Sequence, residues 1–396
     1  MPKTCNVALI GQKFMGRAHS NAWAQVNHFF TLPLSPVRSV ICARDEKELN
    51  AFAKTWGWER TTTNWRDIAK DDSIDLVDIG TPNHVHKEHA ITMLEAGKHV
   101  ACEKPLAGTL KDAREMMQAA KKAKKSKTFV WFNYRRCPAI ALAHQLVQKG
   151  RLGEIYHVRA TYLQSWGGPS VPLIWRFQKK LAGSGAHGDL NAHIIDTARF
   201  ILGDEIAEIN GAIAKTFIKE RDVMDAAGAG AGKIAGQKGG KKKGKSDVDD
   251  AMLFLATFKG GAVASFESTR VAAGNQNRNT IEINGSKGSL KFDFEDMNLL
   301  HFHEGFDTEK TSGWTRIMCT SGEHHPYVGN WWPDAHIIGY EHGFTNMASD
   351  IMRVLAGRKP VVPIPDFADA YETQRVLEAS MLAAKERCAI KLSAVK

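Results

Sequence analysis

Val7-Ala8-Leu9-Ile10-Gly11-Gln12-Lys13-Phe14-Met15-Gly16 begins as an unalternated apolar run, breaks at a glycine and passes into a helical pattern reaching Trp23. An apolar run with no polar alternation suits a strand of a parallel sheet covered on both faces, and the glycines suit a tight strand-to-helix turn. The pattern then repeats: strand Val37 to Cys42, helix Asp45 to Trp56, strand Ile74 to Ile79, helix His84 to Ala96, strand His99 to Cys102, helix Leu110 to Ala123, strand Phe129 to Phe132. This alternation predicts a doubly wound α/β dinucleotide-binding (Rossmann) domain over residues 1–135. Residues 136–396 read differently. After a helix from Ala139 to Lys149, strand-like runs at Ile155–Gln164, Ile206–Phe217, Met252–Phe258, Ala262–Thr269, Thr280–Asn284 and Gly288–Phe294 predict an α+β domain.

The glycine turn lacks its middle glycine, whose place is taken by Lys13. That ammonium either meets a phosphate or obstructs one. At the end of the second strand the acid that would bind adenosine ribose hydroxyls is replaced by Ala43-Arg44. A small residue followed by arginine favours NADP over NAD, although Arg44 could equally be a solvated charge. Asp45 reads as the cap of the next helix.

Of 396 residues, 43% are hydrophobic and 24% charged, which excludes whole-chain disorder, collagen and coiled coil. The net charge of +10 owes six lysines to residues 228–245, read as a flexible Gly/Lys-rich insertion; without them the balance falls to +4. That segment carries no aromatic residue for base stacking, so nucleic acid is not an expected partner. Nor is a membrane, since no apolar run is long enough to span one. Six cysteines without a C-x-x-C pair indicate neither a zinc knuckle nor a disulfide framework, and a reducing cytoplasm is expected.

Three segments identify a family: Gly80-Thr81-Pro82-Asn83-His84-Val85-His86 and Cys102-Glu103-Lys104-Pro105 at strand ends, and Gly188-Asp189-Leu190-Asn191-Ala192-His193 farther on. With the altered glycine turn, they resemble the Gfo/Idh/MocA family of sugar and inositol dehydrogenases. Asn133-Tyr134-Arg135-Arg136, Trp175-Arg176 and Trp331-Trp332-Pro333 are similar to the branch that includes levoglucosan dehydrogenase. The resemblance implies a second domain built on an open, mainly antiparallel sheet that often forms a homo-oligomer interface. It implies hydride transfer from a secondary hydroxyl of a sugar, anhydrosugar, glycoside or cyclitol to NADP or NAD. Relatives also include glycoside-cleaving enzymes that work through a transient ketone, and non-catalytic sugar or cofactor sensors.

Oxidation of a secondary alcohol needs a base for the hydroxyl proton and a donor for the oxygen. The family match gives these roles to His193, supported by Asp189 four residues earlier, and to Lys104. Taken singly, Lys104 also reads as a surface charge, Asp189 as a helix cap and His193 as a core histidine. Gly11, Lys13, Phe14, Met15, Gly16, Ala43, Arg44, Thr81, Asn83, His86, Glu103, Lys104 and Arg176 are the expected cofactor contacts. Tyr134, Gln164, Trp166, Trp175, Trp332, His336 and Tyr340 are candidate sugar contacts. His84, His86 and His89 have a metal-like spacing but no companion acids or cysteines nearby, so no metal is expected. Relatives usually carry leucine, glycine and serine where this chain has His187, Asn191 and Ala192, a departure that bears on substrate specificity.

Overall fold

The computed structural model describes residues 3–224, 240, 242–306 and 310–396, which divide into two bodies. The first comprises Met1–Arg136 and Gly339–Tyr371. Its strands are β1 (Lys3–Ile10), β2 (Leu34–Cys42), β3 (Arg60–Thr62), β4 (Leu76–Ile79), β5 (His99–Cys102) and β6 (Thr128–Val130), all paired in parallel in the order β3-β2-β1-β4-β5-β6. The order reverses between β1 and β4, the crevice where such sheets bind ligands. Helices α1 (Phe14–Phe29), α2 (Glu46–Trp56), α3 (Arg66–Lys70), α4 (His86–Glu95) and α5 (Leu110–Lys122) supply the connections. Asp45 caps α2 by accepting from Glu48 N at 2.9 Å, as its sequence position implies. The short edge strand β3 and helix α3 carry too few apolar residues to announce themselves in the sequence.

The second body comprises Cys137–Ile338 and Glu372–Lys396. It holds α6 (Pro138–Gln148), β7 (Ile155–Leu163), α7 (Lys179–Ala182), α8 (Ala192–Leu202), β8 (Ile206–Lys215), the hairpin of β9 (Glu220–Asp222) and β10 (Lys243–Lys245), and then β11 (Ala251–Phe258) to β16. Within that run, β12 is Val263–Thr269, β13 Arg278–Gly285, β14 Gly288–Asp293, β15 Leu299–Glu304 and β16 Thr315–Met318. Nine strands form one open sheet, β16-β15-β14-β13-β7-β12-β11-β8-β17, with β17 at Ile390–Lys391; it is antiparallel except where β7 meets β12. Its inner face is apolar: Phe254 stacks on Phe266 at 4.7 Å, and α6 and α8 cover that side.

Two boundaries differ from the sequence reading. Helix α9 (Tyr340–Leu355) belongs to the first body, where Phe344, Met347, Ala348 and Ile351 enter the same core as Trp23 on α1. Residues 339–371 therefore return to a domain read as ending at 135. The expected insertion at 228–245 lies largely outside the described residues, but Lys243–Lys245 form a strand with Glu220–Asp222 and Val223 N donates to Lys242 O at 2.7 Å. The backbone there is paired despite its lysines.

Candidate functional site

The first-body site grows from the glycine turn. Gly11 sits at φ +116°, and a side chain there would bring its Cβ within 2.8 Å of Gly80 O. At Gly16 a Cβ would lie 2.3 Å from Gly11 O, so only glycine lets α1 start this close to β1 and β4. Helix α1 has no side-chain cap and no acid in its first turn. Its leading amides and positive dipole end are thus left to an anion such as a pyrophosphate, and the residues present fit a dinucleotide. Lys13, at the cap position, forms an ion pair with Glu48, which also accepts from Gln12. Phe14 is half exposed and lies parallel to Tyr340 at 6.4 Å; Met15 packs into the core. Ala43 N donates to Thr62 O, and Arg44 is exposed just beyond β2.

At the next strand end, Thr81 Oγ1 lies 3.4 Å from His89 Nδ1. Asn83 opens a 3₁₀ turn whose preceding residue, not Asn83 itself, holds the cap position. His86 is not available to a cofactor. Fully buried, its Nε2 faces Thr81 O at 2.8 Å and Nδ1 faces the carbonyls of Pro105 and Leu106 at 3.2 Å, so it ties two strand-end turns together. Burial lowers its pKa, with the carbonyls opposing. Glu103 is likewise turned inward, 4% exposed, because its Oε1 meets His19 Nε2 at 3.0 Å. Its Oε2 accepts the backbone N–H of Lys104 at 3.0 Å, leaving the half-buried Lys104 at the mouth of β5. Tyr134 is buried in the turn Asn133–Arg136. No cluster of three or more His, Cys, Asp or Glu among the described residues is arranged to hold a metal ion.

The second-body site centres on an unusual turn. Residues His187–Asn191 form a π turn leading directly into α8, and such turns recur at functional sites. It carries Asp189 at 22% side-chain exposure, and α8 then carries the nearly buried His193. Asp249 anchors the approach, its two oxygens accepting from Gly185 N and His187 N at 2.7 Å each. Arg270, just after β12, places Nη1 3.6 Å from Asp189 Oδ2 while its guanidinium lies over Trp166 and Phe177. His193 lies beside the Tyr162 ring at 5.9 Å.

Gln164 bridges Asn277 and Trp166, with Nε2 2.5 Å from Asn277 Oδ1 and Oε1 accepting from Trp166 Nε1 at 2.6 Å. Arg176 lies 4.5 Å over the ring of Trp175. Trp332 and His336 are exposed, with His336 Nδ1 2.9 Å from Pro333 O. His187 and Asn191, read as bearing on specificity, instead pair with each other in the core. Asn191 Nδ2 donates to His187 Nδ1 at 2.9 Å, and His187 Nε2 meets Ser380 Oγ at 2.9 Å. One departure from the usual pattern thus satisfies the other.

Sequence reasoning missed His19, Asp78, Asp249 and Arg270. Only Asp78 left a signal, as a charge inside the otherwise apolar strand Leu76-Val77-Asp78-Ile79.

Residues 5–132 match the family described as oxidoreductase family, NAD-binding Rossmann fold, and residues 140–291 match the GFO/IDH/MocA C-terminal domain. The chain is 41% identical to levoglucosan dehydrogenase of Pseudarthrobacter phenanthrenivorans over 385 residues, 96% of each chain. A crystal structure of an oxidoreductase domain protein from Kribbella flavida superposes with a TM-score of 0.90 at 47% identity, covering 99% of this chain and 100% of that one. Levoglucosan dehydrogenase in complex with NADH and levoglucosan superposes with a TM-score of 0.89 at 39% identity, covering 98% and 99%.

Proposed function

This chain belongs to the GFO/IDH/MocA family of nicotinamide-dependent oxidoreductases acting on CH–OH groups, and from that premise we propose a dehydrogenase for a pyranose or anhydrosugar, with His193 as base and Lys104 as oxygen clamp. The observation that carries the reading is the uncapped, glycine-lined start of α1 in a chain that aligns end to end with a levoglucosan dehydrogenase. The dinucleotide, when bound, accepts the hydride at its nicotinamide ring. The residues of this chain supply the rest. The first-turn amides of α1 hold the pyrophosphate. The Lys104 ammonium donates to the substrate oxygen and stabilises the negative charge that develops as its proton leaves. His193 takes that proton, and Asp189, itself held by the Arg270 cation, favours the imidazolium so formed. Indoles such as Trp175 and Trp332 offer flat faces for the sugar's C–H surfaces.

Ala43 brings no acid to the ribose and Arg44 stands exposed beside it, which supports a preference for NADP within a site that accepts NAD. The outer face of the open sheet exposes Ile213 beside its cross-strand neighbour Leu253, with Leu255 and Val263 nearby. A second copy of this chain is the expected cover. No helix among the described residues is long and apolar enough to cross a membrane, and the proposed setting is cytoplasmic. The test is a panel of pyranoses, anhydrosugars, glycosides and cyclitols offered with NAD or NADP. Net reduced nicotinamide should form with at least one sugar or anhydrosugar, whereas glycoside cleavage without net reduction would remove the dehydrogenase reading.

A further inference from the structure

Behind the turn that carries Lys104 lies a closed set of charged side chains that the hydride-transfer reading leaves unused. His19, on α1, is fully buried. Its Nδ1 lies 3.0 and 2.9 Å from the two oxygens of Asp78 on β4, and its Nε2 lies 3.0 Å from Glu103 Oε1 at the end of β5. Both ring nitrogens face carboxylates, so both must donate; a neutral ring would turn a lone pair onto an anion. Asp78 is a fixed anchor, because its oxygens also accept from Trp23 Nε1 at 2.7 Å and Trp131 Nε1 at 2.8 Å. Glu103, gripped through Oε1, uses Oε2 to accept the N–H of Lys104.

We propose that His19 and Glu103 are positioning residues for Lys104: the doubly donating ring fixes the Glu103 carboxylate, and that carboxylate clamps the backbone from which the Lys104 ammonium projects. The inference rests on the reading of Lys104 as the oxygen clamp. The surroundings support a ring that is charged near neutral pH. Burial opposes the charge, yet Asp78 and Glu103 outweigh it and raise the pKa to about 9. The other groups around it are the rings of Trp131 and Phe344; Cys102 feels both carboxylates and His86 feels Glu103, and burial pushes the Cys102 thiol pKa up and that of His86 down. A misplacement of about 1 Å at a catalytic group can cost on the order of 10²-fold in rate, so a backbone clamp one bond from Lys104 is enough to matter.

The test is a double-mutant cycle on purified, cofactor-saturated enzyme. Glu103→Ala should lower kcat by about 10- to 100-fold with little change in sugar KM. Glu103→Gln should recover most of it, since its amide oxygen still accepts from Lys104 while its NH₂ donates to a neutral His19. In a Lys104→Ala background, Glu103→Ala should cost less than about 2-fold more, because the group being positioned is gone. A full second loss there would show that Glu103 acts elsewhere and would overturn the proposal alone. Parental kcat in Lys104→Ala would overturn the Lys104 reading and this inference with it. Should Glu103→Ala not fold, the wild-type imidazole ¹⁵N–¹H spectrum decides. Two ring N–H signals near neutral pH that vanish in His19→Gln are expected, and a single one overturns the proposal.

Discussion

The two bodies each bury a set of charges behind a proposed reactive side chain, and they differ in what those charges meet. In the first, one imidazole and two indole N–H groups meet both oxygens of Asp78 and one of Glu103, all within 3.0 Å. In the second, Arg221 and Arg270 are buried against Phe177, and their contacts to Asp250 and Asp189 are both 3.6 Å, beyond hydrogen-bond length. Among the described residues Nε of both arginines and Asp250 Oδ1 find no partner. The first network is closed side chain to side chain, whereas in the second the short hydrogen bonds run to backbone: Arg221 donates to the carbonyls of Gly167, Gly168 and Val171 at 2.7 to 3.1 Å, and Asp250 accepts from Phe217 and Ile218 N at 2.7 and 2.8 Å. The proposed clamp Lys104 thus follows a set of paired charges, and the proposed partner Asp189 sits on a turn whose approach Asp249 fastens through backbone N–H groups.

The sharpest way to break this contrast is to remove the central cation from each network. His19→Leu leaves two buried carboxylates unneutralised and should cost about 3 to 5 kcal/mol of unfolding free energy, the scale for breaking a buried ion pair. Arg270→Met removes a cation that faces Asp189, which still touches solvent, and the buried Asp249 and Asp250, which keep backbone N–H donors, and should cost about 1 to 2 kcal/mol. Urea unfolding of both variants measures the difference, and equal losses would remove the distinction.

pH separates the networks next. His19 has a folded pKa of about 9 against 6.5 in the open chain, so its stabilisation is fully present below about pH 6.5 and is lost as pH rises through 9. The total is on the order of 3 kcal/mol. The unfolding midpoint should therefore fall between pH 7 and 9.5 in the parent, and His19→Gln should flatten that fall. A parent whose stability rises over this range would show the ring to be neutral.

Turnover tests the reactive groups themselves. His193→Ala, Asp189→Asn and Lys104→Ala should each lower kcat/KM by at least ~10²-fold in folded protein, with His193→Ala the most damaged. Near-parental turnover in His193→Ala would remove it as the base. Lys104→Ala should fall chiefly on kcat, as expected for a donor whose bond strengthens only as the oxygen charge develops.

Much of this was legible in the sequence because parallel strands and glycine turns are local signals. Runs such as Leu76–Ile79 and His99–Cys102 announce buried strands, and Gly11 and Gly16 announce a close helix start. The return of α9 to the first body was not legible, since its partners on α1 lie more than 300 positions earlier. Side-chain direction was harder still. Glu103 and His86 stand at strand ends, where ligand contact is the natural reading, yet a buried cation and three backbone carbonyls turn both inward. His187 and Asn191 looked like changes at the sugar and are a compensating core pair. In each case the deciding partner is remote in sequence or unremarkable in type.

The smallest effect concerns a guanidinium with none of these supports. Arg44 is exposed at the end of β2, so the proposed pairing with a ribose phosphate would be one charge-assisted contact formed in water. Arg44→Ala should weaken NADP relative to NAD by on the order of 1 to 2 kcal/mol. Ala43→Asp should shift preference in the same direction, because a carboxylate there accepts from the ribose hydroxyls and repels a phosphate. Lys13 is already paired with Glu48, and its proposed neighbour is the pyrophosphate that both dinucleotides share, so Lys13→Gly should alter both cofactors alike. Direct titration of the two dinucleotides reads all three. If the parent binds NAD more tightly and Arg44→Ala affects both equally, Arg44 is a solvated charge and the NADP preference is wrong, while the assignment of hydride transfer stands, because the glycine turn serves either dinucleotide.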